Sequence, residues 1–585
     1  MSQKRDQRGR LGTRGAGGSH EQQASTSVAG RYLALLAERG ISALYINAGT
    51  DFAPLVEAYA TLGEHDVPLP EPVVCAHENL ATGMAHGAYL VTGRPQAVMF
   101  HVSVGTANAI CAVANASRDN VPLLVTAGRS PILEGGALGA RDTSIHWAQE
   151  MFDQAGMLRE LVKWDYELRD PRQVGAVVDR AFSVATSHPR GPVYLTLPRE
   201  VLAEPVPADA HVTPVTSVPV TIEPDADAVA ELADRLAAAS FPVVVTSAAG
   251  VDPTAVELLG NLCDRFAIGV AEIAPRFVNV DPRHDLHLGH QLDGVFEVAD
   301  VIVVLESDVP WIEACAAPRA GTFVAHVGVD PLYVRYPMRT HRSDLTIVAT
   351  PAALVTRLTE ALTERAGATD NDRRERIAAR ATSNRAAAAD RMSDEQAPAG
   401  APITMAFMSE TLACVLDEDD IVFNEYWGRP DLLNRRRPGT YFFLPRAGGL
   451  GWALPAALGA KHAAPDRTVV ATVGDGAYFF ANPAACHHAA TKHDLPVLTV
   501  VANNATWGAV DYATRLMYPQ GSAVTGSERR LSDLSPAPAF EAYCIASGGF
   551  GERVSTRAEL LPAMERAVRA VRDEGRQALL NVECV

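Results

Sequence analysis

No run of about 18 or more apolar residues occurs in this 585-residue chain, so a membrane-spanning helix is not expected. The eight cysteines (Cys75, Cys111, Cys263, Cys315, Cys414, Cys486, Cys544 and Cys584) are scattered, with no CxxC pair and no secretory h-region at the start. Both absences fit a reducing cytoplasm. Basic charge is short as well: 51 Lys and Arg face 69 Asp and Glu, and a formal net charge of −18 argues against a nucleic-acid partner. The middle of the chain has AAGVDP (248–253) where a dinucleotide fold would have GxGxxG, so NAD is not supported. His487, His488 and His493, with Cys486, share one helical stretch without an i, i+4 histidine pair, so zinc is not supported there.

What remains is ordinary globular material, 48% hydrophobic and 21% charged, long enough for several domains that each bury a core. Residues 1–27 carry Lys4, Arg5, Arg8, Arg10 and Arg14 among Gly, Ser and Gln, and read as a disordered tail; a transit peptide is the lesser reading. Two stretches break the pattern that follows, 204–224, rich in Pro, Val and Thr, and 364–401, rich in Arg, Ala and Asp. Read as linkers, they leave three pieces, 28–203, 225–363 and 402–585. In each piece, short β-branched runs alternate with helical patterns, which implies parallel sheets with crossover helices. ALYINAG (43–49), QAVMFHVS (96–103) and PLLVTAG (122–128) are the strands of the first piece. PVVVTSAAG (242–250), VIVVLES (301–307) and FVAHVGVD (323–330) serve the second, TVVATVG (468–474) and PVLTVVANN (496–504) the third. The expected fold is α/β, three doubly wound parallel-sheet domains.

The third piece carries the densest chemistry. Gly474-Asp475-Gly476-Ala477 follows a strand and opens a helix, and a second strand ends in Asn503-Asn504-Ala505-Thr506. A hard Mg²⁺ wants six oxygen ligands; the Asp475 carboxylate, the Asn504 side-chain oxygen and the Thr506 carbonyl supply three, leaving room for two diphosphate oxygens and a water. Backbone N–H groups near Gly476 and Ala477 can meet phosphates. A GDG triplet by itself is equally a turn; the Asn pair one strand later adds the weight.

This pattern resembles the thiamine-diphosphate family of 2-oxo acid decarboxylases and acetohydroxyacid synthases, and in its motifs most of all the benzoylformate decarboxylases. The separation of Asp475 from Asn504 is two residues longer than the family pattern, which falls on the loop 478–482. The resemblance covers about residues 30–585, strong at both ends and weak in the middle. It implies pyrimidine-binding, central and diphosphate-binding domains in that order, with thiamine diphosphate and Mg²⁺ as cofactors; the FAD of acetohydroxyacid synthases is not supported. VVCAHENLATGMAHGAY (73–89) puts Glu78 at a helix start, where the family has the carboxylate that favours the imino tautomer of the pyrimidine and so the loss of the thiazolium C2 proton. On residues alone, a glutamate there is equally a charge facing the helix dipole.

PGTYFFLPRAGGLGWALPAALGAK (438–461) resembles the segment approaching the GDG strand. By that likeness the Gly448 carbonyl binds the pyrimidine amino group and Leu450 wedges between the two rings; the bland reading is a glycine turn before a core helix. Thr50, in NAGTDF, and His101, in FHVSVGTAN, fall where benzoylformate decarboxylases bind the substrate carboxylate and keep an active-site histidine. Val510 and Ala513 fall where the family lines its substrate pocket. Arg446 is either an attractor of an anionic substrate or a surface charge. The resemblance implies a soluble enzyme acting on a small 2-oxo acid or aldehyde, a decarboxylating lyase working through a C2 ylid and an enamine. An acetolactate-synthase-type carboligase is the alternative, a non-catalytic homologue or a nucleotide-dependent oxidoreductase the lesser ones. It also implies a homodimer or homotetramer with shared active sites.

Overall fold

The computed structural model describes residues 26–65, 67–207, 210, 218, 220–290, 292, 294–365, 371–392, 400–526 and 531–585. The tail expected over 1–27 lies outside the described residues up to residue 25. Ser27 already caps the first helix, Val28–Glu38, by accepting from Gly30 N.

Three separate, wholly parallel sheets carry the chain. The first takes β1 (Ala43–Asn47), β2 (Glu71–Val74), β3 (Gln96–Phe100), β4 (Leu123–Arg129), β5 (Asp165–Glu167) and β6 (Val193–Pro198) in the order β2-β1-β3-β4-β6-β5. The second takes β7 (Pro242–Thr246), β8 (Gly269–Glu272), β9 (Val301–Leu305), β10 (Phe323–Gly328) and β11 (Leu345–Val348) as β11-β10-β9-β7-β8. The third takes β12 (Ile421–Glu425), β13 (Tyr441–Phe443), β14 (Val469–Gly474), β15 (Leu498–Asn503), β16 (Phe550–Val554) and β17 (Ala578–Glu583) as β13-β12-β14-β15-β17-β16. The first and third sheets therefore share one strand order. Runs such as PVVVT and VIVVL are buried along their whole length because helices cover both faces of a parallel sheet.

One expectation from the sequence needs correction. The stretch 364–401, read as a linker, contains the helix Asn371–Met392. Ile377 and Ala381 sit one turn apart in the core of the middle domain, and Arg373 donates to the carbonyls of Leu236, Ala239 and Phe266. So narrow a buried stripe among Arg and Ala is easily taken for linker composition. Pro483 opens the helix Pro483–Lys492, and Asn482 precedes it in a left-handed conformation with its amide turned back to Phe480 O at 3.4 Å. Two short helices, Asp475–Phe480 and Pro483–Lys492, thus occupy the lengthened stretch between Asp475 and Asn504.

The first and third domains meet through helices Glu78–Thr92 and Ala453–Ala463. Each follows the second strand of its sheet. Their backbones approach so closely that a Cβ on Gly87 would lie 1.9 Å from Ala456 O, and one on Gly459 would lie 1.8 Å from Met84 O.

Candidate active site

The carboxyl ends of β1, β2 and β3 gather one group of side chains. β1 runs into the turn Thr50–Phe52, which exposes Thr50 and buries Asp51. β3 ends at Phe100, and His101 follows it, immediately before the helix Val102–Arg118. His101 Nδ1 lies 2.5 Å from Asp51 Oδ1, and Asp51 Oδ2 accepts from Val102 N at 3.4 Å. Two glycines make this dyad possible: a Cβ on Gly49 would lie 2.1 Å from His101 Nδ1, and one on Gly128 would lie 1.8 Å from Asp51 Oδ2. The Asp51 hydrogen bond raises the His101 pKa against the opposing effect of burial, and the Glu78 charge adds to the rise.

Glu78 opens the helix Glu78–Thr92 behind His77, whose ring accepts from Asn79 N at 3.1 Å. The Glu78 carboxylate is buried and accepts from Asn108 Nδ2 at 3.1 Å. Gly105 leaves space for it, since a Cβ there would lie 3.0 Å from Glu78 Oε1.

A second group stands at the carboxyl ends of β14 and β15. Asp475 is buried at the first position of its helix, and Oδ1 accepts from Gly476 N at 2.7 Å. Among the described residues, its buried Oδ2 has no hydrogen-bond partner. A buried carboxylate oxygen left unsatisfied is what a bound cation would answer, so the residues fit a metal at this place. Burial pushes the Asp475 carboxyl up, against the backbone amides of Gly476, Ala505, Thr506 and Asn504, which favour the anion. Asn504 Oδ1 accepts from Thr506 N at 3.0 Å, and Ala505 between them has a left-handed φ of 51°. A Cβ on Gly476 would lie 2.3 Å from the Trp507 ring, which fixes glycine there; Gly474 has no such neighbour within 4 Å, and Ala477 is buried.

The turn before helix Ala453–Ala463 lies alongside. Gly448 (φ 65°) is exposed and Leu450 half-buried. Asn115 clamps Gly449 from both sides, donating to its carbonyl at 2.8 Å and accepting from its N–H at 3.0 Å. Glu425 ends β12 and accepts from the amides of Gly451, Trp452 and Ala453. Burial still pushes its carboxyl up to about 7.

Asp51, Asn108, Asn115 and Glu425 are absent from the sequence reading. Asp51 had a signal, standing next to Thr50 at a strand end; the two asparagines lie on one helix, Asn115 buried and Asn108 exposed, where nothing local marks them. Val510 and Ala513 lie exposed on the helix Gly508–Met517, which buries none of its own residues. Arg446 pairs with Asp308 (3.3 Å) and donates to Ala274 O, ties within the chain rather than a free surface charge. Among the described residues, the hydrogen bonds and ion pairs of the Glu78 and His101 side chains run to Asn108, His77 and Asp51, all in the first domain.

Residues 27–157 match the model of the thiamine pyrophosphate enzyme N-terminal TPP binding domain, and residues 426–582 match that of the C-terminal TPP binding domain. The chain belongs to the thiamine pyrophosphate enzymes. A benzoylformate decarboxylase of Pseudomonas aeruginosa is 28% identical over 576 residues, covering 92% of this chain and 96% of that protein. An acetolactate synthase large subunit of Mycobacterium tuberculosis is 27% identical over 567 residues, covering 96% of each. Among solved structures, the benzoylformate decarboxylase of Polynucleobacter necessarius superposes with a TM-score of 0.76 at 20% identity, over 96% of this chain and 98% of that one. That likeness is one of fold. In a thiamine pyrophosphate enzyme, the two groups just described sit in the two domains that bear the family's cofactor-binding names.

Proposed function

We propose that this thiamine-diphosphate enzyme decarboxylates a 2-oxo acid, with Glu78, His101, Thr50 and the Asp475 group as its working parts. The observation that carries this reading is the cluster at the ends of β1 to β3, where a buried carboxylate at a helix start shares one site with a hydrogen-bonded His–Asp pair and an exposed hydroxyl. Thiamine diphosphate, when bound, supplies a carbon nucleophile and an electron sink. Asp475, Asn504 and Thr506 hold Mg²⁺, and the Gly474–Ala477 turn offers its amides to the diphosphate. Gly448 and Leu450 support the ring system, and Glu78 accepts a ring N–H. Asp51 fixes Nδ1 of His101 and leaves Nε2 to deliver a proton to substrate, while Thr50 binds the carboxylate that leaves as CO₂.

Acetolactate synthases among the relatives support a second reading, carboligation, and the small exposed Ala513 beside Val510 leaves room for an acceptor. The purified enzyme, given pyruvate and benzoylformate in turn, separates the two. CO₂ with free aldehyde supports decarboxylation, acetolactate supports ligation, and no CO₂ from any 2-oxo acid of a wider panel overturns both.

We also read the working unit as at least a homodimer. Glu78 touches Asn108 and the Gly448–Gly451 turn touches Asn115 on one helix, seven positions apart, which is roughly 10 Å along its axis. A partner subunit that brings Glu78 to the turn removes that separation. Exposed Leu138, Trp147 and Phe152 in the first domain, with Tyr512, Leu516 and Met517 in the third, give such a partner apolar surface to cover. Among the described residues no helix is long and apolar enough to cross a membrane, and all eight cysteines are free, which supports a cytoplasmic location.

A further inference from the structure

A different set of side chains with ligand chemistry lies in the middle domain. Glu272 ends β8, and the chain returns beside it as His287-Leu288-Gly289-His290. Backbone bonds fix that return: Leu288 N donates to Val270 O at 2.7 Å and Glu272 N donates to Gly289 O at 3.0 Å, with Gly289 at a φ of 89°. His287 Nε2 thereby lies 2.9 Å from Glu272 Oε2, and His290 Nδ1 lies 3.7 Å from the same oxygen. The three donor atoms all lie within 4.8 Å of one another.

The two separations to Glu272 fit a common centre. Ligand bonds of about 2.0–2.2 Å at tetrahedral angles put donors about 3.4 Å apart, and the two pairs to Glu272 bracket that figure. The hydrogen bonding leaves the same space open. Glu272 Oε1 accepts from Asn279 Nδ2 at 2.7 Å, and Asn279 Oδ1 accepts from Gly250 N, so the carboxylate is oriented from behind. His290 Nδ1 is buried and, among the described residues, has no hydrogen-bond partner. A cavity of about 20 Å³ adjoins Glu272 and His290 and reaches Pro430, Arg435 and Tyr441 of the third domain. That volume admits one water.

We propose that Glu272, His287 and His290 bind a divalent transition-metal ion of the zinc class, with one water as its fourth ligand. Two imidazoles and one carboxylate select that class over Mg²⁺ and Ca²⁺, which take oxygen donors. The ion would brace the end of β8 against the loop between β12 and β13. The rival account is a buried carboxylate held by two imidazoles with no ion at all.

Cobalt(II) tests the proposal in the full-length protein, stripped with EDTA and resupplied with thiamine diphosphate and excess Mg²⁺. The expected result is one retained Co²⁺ per chain with the visible d–d bands of a tetrahedral, imidazole-ligated ion. Asp475→Ala should keep those bands, which separates this site from the one at β14. Asn279→Ala should weaken retention by about 10–100-fold, as loss of a supporting hydrogen bond does, and His290→Ala should weaken it further. Circular dichroism checks that His290→Ala is folded, and His290→Gln repeats the measurement if it is not. Failure to retain Co²⁺ in the parent, loss of the bands in folded Asp475→Ala, or equal retention in the folded His290 variant overturns the proposal.

Discussion

His101 and Asp51 form a hydrogen-bonded pair where β3 gives way to the helix Val102–Arg118. The Asp51 hydrogen bond holds the imidazolium above its ordinary range, so the proton stays on His101 to a higher pH than burial alone would allow. If that proton is delivered to substrate, activity falls as pH rises through the raised pKa. Asp51→Asn removes the charge, lets the pKa drop, and should move the alkaline limb of the kcat/KM profile to lower pH; a limb that stays in place separates Asp51 from His101 function. Glu78 makes a separate claim. Glu78→Gln is nearly isosteric and still hydrogen-bonds, but it has no carboxylate to draw the pyrimidine into its imino form. Deuterium exchange at C2 of the bound cofactor should slow by about 10²–10⁴-fold, with cofactor affinity largely kept. Unchanged exchange in the Gln variant would remove Glu78 from the activating role.

At the scale of elements, the strongest packing constraint is the crossing of helices Glu78–Thr92 and Ala453–Ala463. Gly87→Ala puts a methyl group into Ala456 O and should cost about 1–3 kcal/mol, read as a lower denaturation midpoint. Gly63→Ala, whose Cβ meets nothing within 4 Å, is the matched control and should leave the midpoint unchanged or higher. An equal midpoint in the two variants would show that the crossing tolerates expansion. The sequence carries Gly87 as one member of a helical series with Leu80, Met84 and Val91, but it does not say what lies opposite, because close approach is a property of two elements. The same distinction decides what else was legible. Largely buried apolar runs mark β1, β3, β4, β7, β9, β10, β14 and β15, where burial on both faces leaves no alternation to misread, whereas β2, β5, β11 and β16 are partly exposed and do not stand out. The GDG turn and the Asn pair are legible because their spacing is local. The helix Asn371–Met392 is not, because its two core residues, Ile377 and Ala381, are outnumbered by solvent-facing Arg and Ala. Asp51 shows its importance only once Gly49 and Gly128 bring it against His101.

The whole molecule repeats one topology at its two ends. The first and third sheets have the same strand order, equivalent helices pack against each other, and each sheet presents a chemical group at its strand ends: Glu78 with His101, and Asp475 with Asn504. Within one chain Glu78 bonds to Asn108 and the Gly449 turn to Asn115, about two turns further along the same helix. If one chain completed its own site, a Glu78→Gln subunit and an Asp475→Ala subunit would each stay defective however they were mixed. If two chains share each site, a mixed dimer contains one site with both defects and one with neither. Asp475→Ala should itself weaken cofactor retention, because it removes the carboxylate whose Oδ2 is left to answer a cation. At equal concentrations with random exchange, half of the dimers are mixed and each restores one site of two, so activity should return to about one quarter of the parent value, provided intact sites act independently. Native mass spectrometry of differently tagged subunits establishes exchange, and 2-oxo acid turnover before and after mixing is the readout. Confirmed exchange with no recovered turnover would place each complete site within a single chain.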